Sequence, residues 1–134
     1  VIYVLDACAM IAYLRGEPGA DVVEQSLLDT NGQCIAHAIN LCEVFYNFHR
    51  AGGESAAKNA VADLISLGVI ERDDLSQSFW MAVGELKAVR KKISLADCCA
   101  VILTLRVGGT LLTSDHHELD ALAADAVCPI TFIR

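Results

Sequence analysis

Four carboxylates occupy places where an acid is not needed to keep the chain in water. Asp6 follows the apolar run "VIYVL", and Asp115 closes "TLLTSD". Asp97 sits inside "SLADCCAVILTL", where Thr104 is the only other polar side chain between Leu95 and Leu105. Glu43 lies in "INLCEVFYNF", on a narrow polar stripe with Asn40 and Asn47 at helical spacing. An ionised carboxylate buried without a partner is costly, so each of these acids calls for hydrogen bonds, a counter-charge or a metal.

Each acid also has an ordinary structural use. Asp6 and Asp115 suit N-caps, whose side chains accept from the first free amides of a helix. Ser94-Leu95-Ala96-Asp97 has the spacing of a capping box, with Asp in the place usually held by Glu or Gln. That spacing puts Asp97 in a first helical turn, near the positive end of the helix. Asn40, Glu43 and Asn47 also suit a stripe that faces solvent.

The chemistry becomes specific if the four converge. Like charges about 4 Å apart repel strongly in a partly buried pocket, and without a cation some must stay protonated. An all-oxygen, acid-rich set suits a hard divalent ion such as Mg²⁺ or Mn²⁺. Such an ion orients and polarises a phosphate and helps generate hydroxide from water. The residues alone therefore point to metal-dependent phosphoryl chemistry.

The elements that must position these acids alternate in type. Short apolar runs at 2–5, 33–37, 69–71, 110–113 and 130–133 read as strands. Helical spacing covers 7–16, 20–30, 40–50, 54–67, 76–90, 94–107 and 116–124, punctuated by Gly16, Asn31-Gly32, Gly52-Gly53, Gly68 and Gly108-Gly109. Val22, Val23, Leu27 and Leu28 are expected inward on the second helix, and Ala57, Val61, Leu64 and Ile65 on the fourth. This alternation means an α/β fold: a central parallel sheet of about five short strands flanked by helices, in one domain over 1–134. Ligands in such folds gather beyond the carboxyl ends of the strands, which is where Asp6 and Asp115 fall.

Composition narrows the class. Apolar residues make up 54% of the 134 and charged ones 20%, which excludes a disordered chain. No apolar stretch is long enough for a membrane span, and the start reads as a strand and helix and not as a signal peptide. The six cysteines show no paired spacing and no C-x-x-C, so reduced thiols in a cytoplasmic protein are expected and a structural zinc site is not. A net charge of −7 runs against nucleic acid, but "KAVRKK" gathers Lys87, Arg90, Lys91 and Lys92 just upstream of Asp97. Arg90, Lys91 and Lys92 are candidates for guiding a phosphate backbone. His116 and His117 are expected to be solvated.

With these residues in view, the chain resembles a PIN domain, and most of all the small toxin ribonucleases of VapBC-type toxin–antitoxin pairs. The matching segments are "VIYVLDACAMIAYL", "INLCEVFYNF", "SLADCCAVILTL" and "GGTLLTSDHHEL", in the family's order and spanning essentially the whole chain. Asp6, Glu43, Asp97 and Asp115 match the family's four acids, and Thr113 matches the Ser or Thr two positions before the last. The resemblance implies endonucleolytic cleavage of RNA dependent on Mg²⁺ or Mn²⁺, a homodimer, and inhibition by a cognate antitoxin. Two positions depart from the pattern: Asn40 stands where Ser or Thr is common, and His117 where many members carry another acid. The second departure bears on whether one or two ions bind. Glu118 and Asp120 are alternative acids there, each also suited to an exposed helix surface.

Asp6, Asp97 and Asp115 are thus expected to hold the metal, with Glu43 as a further ligand or a water-orienting base, and Thr113 and Asn40 in support. Helices one and two and Asn40–Gly52 are apolar enough to leave a groove for a partner helix. A phosphoaspartate phosphatase wants a second Asp where Cys8 stands, and a receiver domain wants neighbouring acids after strand one and a Lys after the last strand. A non-catalytic binding module, or a nuclease of RNA processing outside toxin–antitoxin pairs, are the remaining alternatives.

Overall fold

The computed structural model describes Val1 to Arg134 throughout. Five strands, β1 (Ile2–Leu5), β2 (Gln33–His37), β3 (Ile70–Arg72), β4 (Thr110–Thr113) and β5 (Ile130–Phe132), form one sheet in the order β3-β2-β1-β4-β5. Every neighbouring pair is parallel, with Tyr3 opposite both Cys34 and Thr110. The chain order reverses at β1, so the crevice between the carboxyl ends of β1 and β4 is the switch point where this architecture places ligands.

Seven helices cover the sheet: α1 (Ala7–Arg15), α2 (Ala20–Leu28), α3 (Ala38–Gly52), α4 (Glu54–Ser66), α5 (Gln77–Val89), α6 (Leu95–Val107) and α7 (His116–Ala124). Alternate strand residues feed opposite faces, as the two-residue period of a strand requires. Leu5, Cys34, Ala36 and Leu112 pack toward α1–α4, whereas Val4, Ile35 and Leu111 pack toward α5–α7. Both faces are therefore apolar, and the strands read as unbroken hydrophobic runs.

Helix α6 explains the most apolar segment of the sequence. It packs against β1, β2, β4, α3 and α5 and buries seven of the eight residues from Asp97 to Thr104, all but Ile102. The Thr104 hydroxyl is satisfied inside by the Ala100 carbonyl at 2.7 Å. Gly108 ends the helix in the left-handed conformation at φ 65°. Gly109 must be glycine for another reason: a Cβ there would lie 2.7 Å from the Ile2 carbonyl oxygen.

Some boundaries and faces differ from expectation. Helix α3 starts two residues early because the His37 ring caps it, Nδ1 accepting from the Ile39 N–H at 3.1 Å. The third strand is shifted one residue, leaving Val69 buried just before it. Leu28 and Ile65 face outward, at 66% and 44% exposure. Leu28 lies about 140° round the helix from buried Val23, and Ile65 about 100° from buried Leu64, so each sits off its helix's packed stripe.

Candidate metal centre at the carboxyl edge of the sheet

Asp6 is the first residue after β1 and is fully buried. Its Oδ1 accepts from the Ala9 N–H at 2.9 Å and so caps α1, as its position suggested. Its Oδ2 is buried without a hydrogen-bond partner. Burial drives the Asp6 carboxyl up to about 7, helped by the charges of Asp115 and Glu43. The Thr113 hydroxyl beside it and the Ala9 amide offset part of this rise.

Asp115, after β4, caps α7 through Oδ1, which accepts from the Glu118 N–H at 3.0 Å. Thr113 is fully buried, and its Oγ accepts from the Asp115 N–H at 3.0 Å, fixing the turn that carries the acid. Helix α6 runs back across the sheet before β4, so its amino end lies at the same edge. There Ser94 Oγ accepts from the Asp97 N–H at 3.2 Å, which puts Asp97 in the first turn with 8% exposure.

The structure brings Asp97 and Asp115 together, and a third acid joins them. Oxygens of Asp97, Asp115 and Glu118 lie within 4.8 Å of one another. Glu118 Oε2 accepts from the Ser94 N–H at 3.2 Å, and its carboxylate lies beside that of Asp97. Burial, the adjacent Glu118 carboxylate and the charge of Asp6 push the Asp97 carboxyl well above its usual range. The same proximity to Asp97 holds Glu118 low.

Glu43 stands further out. Half-buried on α3, it is raised by burial and by the charge of Glu118, and lowered by the Asn40 amide. Asn40 is fully buried and ties α3 to α6, with Nδ2 donating to the Ala96 carbonyl at 3.2 Å. Its Oδ1 has no partner. Asp6 Oδ2 and Asn40 Oδ1 are the only buried side-chain N or O atoms in the chain left without one, and Asn40 is tied to the residue before Asp97. Two orphaned oxygen acceptors beside three close carboxylates are an environment that fits a hard cation.

Beyond Glu118 a cleft of about 560 Å³ opens between the α5–α6 loop and α7, lined by Lys91, Lys92, His117 and Glu118 among others. Lys91 and Lys92 are exposed, while Arg90 is held by Asp125 at 2.6 Å. His117 is exposed as expected. His116 is exposed as well, and it is also anchored: its ring stacks on Phe132 at 4.0 Å, and its nitrogens bond Asp120 and the Arg134 carbonyl at 2.8 Å each. The largest cavity, about 640 Å³, lies elsewhere, walled by α1, α2 and α4 and not by α3. It combines Tyr13, Leu14 and Leu67 with the acids Asp21, Glu24 and Asp63.

A five-stranded parallel sheet with convergent acids at its switch point defines a class of α/β protein. The chain belongs to the PIN domain family, whose model matches residues 3–124. Comparison with curated protein sequences gives no match. Among solved structures it is similar to VapBC2 from Rickettsia felis bound to a promoter DNA fragment, with a TM-score of 0.77 at 16% identity over 98% of both chains. It is also similar to VapBC-1 from nontypeable Haemophilus influenzae, with a TM-score of 0.73 at 19% identity over 99% of this chain and 98% of that one. VapC20 of Mycobacterium tuberculosis, a toxin that cleaves the sarcin–ricin loop, gives 0.69 at 18% identity over 90% and 95%. No helix of the chain is long and apolar enough to cross a membrane, and none of the six cysteines is in a disulfide.

Proposed function

We propose that this chain is a metal-dependent endoribonuclease and the toxin of a VapBC-type toxin–antitoxin pair, acting in the cytoplasm as a single domain over 1–134. The observation that carries the reading is the meeting of Asp97, Asp115 and Glu118 within 4.8 Å, beside the unpartnered Oδ2 of buried Asp6. Asp6, Asp97 and Asp115 would hold Mg²⁺ or Mn²⁺, with Glu43 at the margin. When bound, the ion supplies neutralisation of these carboxylates, polarisation of a phosphodiester and acidification of water.

The residues of the chain set up the rest of a hydrolysis in which a water oxygen bonds to phosphorus as a ribose oxygen leaves. Glu43, half-buried on α3, would orient the incoming water and accept its proton. Thr113 and Asn40 position the acids: Thr113 fixes the Asp115 turn, and Asn40 ties α3 to the start of α6. Lys91 and Lys92 offer charge to the RNA backbone across the cleft, which answers the difficulty of a chain with net charge −7.

The partner reading is supported by neighbours that are VapBC complexes. The cavity between α1, α2 and α4 suits an antitoxin segment with apolar anchors for Tyr13, Leu14 and Leu67 and basic side chains for Asp21, Glu24 and Asp63. The protein is read as a homodimer, as the resemblance implies. Purified protein should cleave RNA with Mg²⁺ or Mn²⁺, lose cleavage in EDTA, and lose it in Asp6→Asn while its circular dichroism is kept. Cleavage that persists in that variant would overturn the assignment. An inert wild type that still captures its partner would favour a binding module.

A further inference from the structure

Sequence offers Glu118 as an alternative acid near His117 that suits a helix surface as well, but the structure turns its side chain inward. Its Oε2 accepts from the Ser94 N–H at 3.2 Å, and its backbone N–H donates to Asp115 Oδ1 at 3.0 Å, which fixes the turn that carries it. Those contacts turn it inward, so that it joins Asp97 and Asp115 within 4.8 Å. Glu43 is not part of that triple. Asp6 brings a second, independent observation, because its Oδ2 is fully buried, has no partner, and belongs to a carboxylate whose charge Asp97 feels.

We infer that Glu118 is a direct ligand of the divalent cation, completing the set of Asp97, Asp115 and Asp6, with Glu43 left to act on water. The inference rests on the reading of this site as a cation centre. Spacing supports it: Asp115 and Glu118 are three residues apart at the start of α7, which places them on one helix face. Asp120, two residues on, points away and pairs with His116 at 2.8 Å. His117 is exposed and adds no carboxylate. A hard ion at this edge therefore finds its last acid at Glu118.

The test reads metal binding alone, by calorimetric titration of the full chain with Mn²⁺ in the absence of RNA. Glu118→Gln should weaken Mn²⁺ binding by about tenfold or more, on the scale of losing one support from a metal site. Asp120→Asn removes the same charge from the same helix and should leave the affinity as it was. Glu43→Gln should weaken binding less than Glu118→Gln does. If the wild type binds Mn²⁺ and Glu118→Gln binds it equally well, the inference is overturned and the nuclease reading stands. If the wild type does not bind Mn²⁺, both fall together. Should Glu118→Gln fail to fold, Glu118→Asp keeps the charge and withdraws the oxygens by one methylene, and an unchanged affinity in that variant also overturns the inference.

Discussion

Replacing Asp6 by Asn should make the metal-free protein more stable while abolishing its activity. In the folded chain, burial lifts the Asp6 carboxyl from 3.8 to about 7. The unfolded chain gives up that proton near its ordinary pKa, so between about pH 4 and pH 7 the folded state binds more protons than the unfolded one. Stability therefore falls as pH rises through this window, by about 1.4 kcal/mol per pH unit for one group. Across roughly three units the ionisable acid costs the folded state about 4 kcal/mol at pH 8 relative to a neutral side chain. Asn keeps the Ala9 cap through its oxygen and turns an N–H₂ toward Thr113, so little packing is lost. Urea denaturation in EDTA at pH 5 and pH 8 measures this directly. Between those two pH values the wild type should lose about 3 kcal/mol relative to Asp6→Asn, because only the interval below pH 7 contributes. Adding Mn²⁺ at pH 8 should stabilise the wild type far more than the variant. A variant that is no more stable than wild type at pH 8, with the same pH slope, would refute the argument that Asp6 is held in a pocket hostile to its charge.

Four other outcomes follow from the same geometry. Neutralising Lys91 and Lys92 together should lower the slope of log affinity against log salt by about 1.4, at roughly 0.7 per single-strand phosphate contact, measured by fluorescence anisotropy on single-stranded RNA. Ser94→Ala removes the cap that seats Asp97 and should cost about 1 kcal/mol of unfolding free energy in urea titrations, and weaken Mn²⁺ binding as well. The Cys8 thiol, pushed up to about 12 by partial enclosure and by Asp6, Asp115 and Asp97, should alkylate slowly with iodoacetamide at pH 8 and faster once Mn²⁺ or Asp115→Asn reduces the local negative charge. Mn²⁺ affinity should fall about tenfold per pH unit below 7 for the proton on Asp6 alone, and calorimetry in buffers of different ionisation enthalpy should register proton release.

The strand–acid junctions were legible because they rest on local rules. An apolar run that ends in Asp before helical spacing fixes both the carboxyl edge of a strand and an N-cap, and Asp6 and Asp115 fulfil both roles. The Ser94 to Asp97 spacing likewise carried its own geometry. Glu118 was legible only as one of two alternative acids, with Asp120, because its inward turn depends on the Ser94 amide, 24 positions away. The available signal was its spacing of three from Asp115, which placed it on the same face. His116 is exposed as its sequence suggests, but its anchoring was hidden for a similar reason, since Phe132 and the Arg134 carbonyl reach it from the last strand and beyond. Leu28 and Ile65 looked core-bound from hydrophobicity alone, whereas the helix angle from their buried neighbours decided the matter.

The arrangement leaves the acids no route to relax. Asp6 directly follows β1 and Thr113 ends β4, and the residues just before them, Leu5 and Leu112, are buried at 0% and 2% exposure on a close-packed sheet. Asp97 is set in the first turn of a helix enclosed by three strands and two helices. Moving Asp6 or Asp97 away from the others would open a packed interior, a cost that opposes relief of the repulsion. Two remedies remain: protons, which the raised carboxyls of Asp6 and Asp97 take up, or a cation. The proton solution leaves Asp6 Oδ2 and Asn40 Oδ1 without partners, and a hard ion with its bound waters would give donors or a positive charge to both. The rigidity of the scaffold and the unsatisfied state of its edge therefore make one argument. Because the sheet cannot yield, the site selects a ligand that brings positive charge to it.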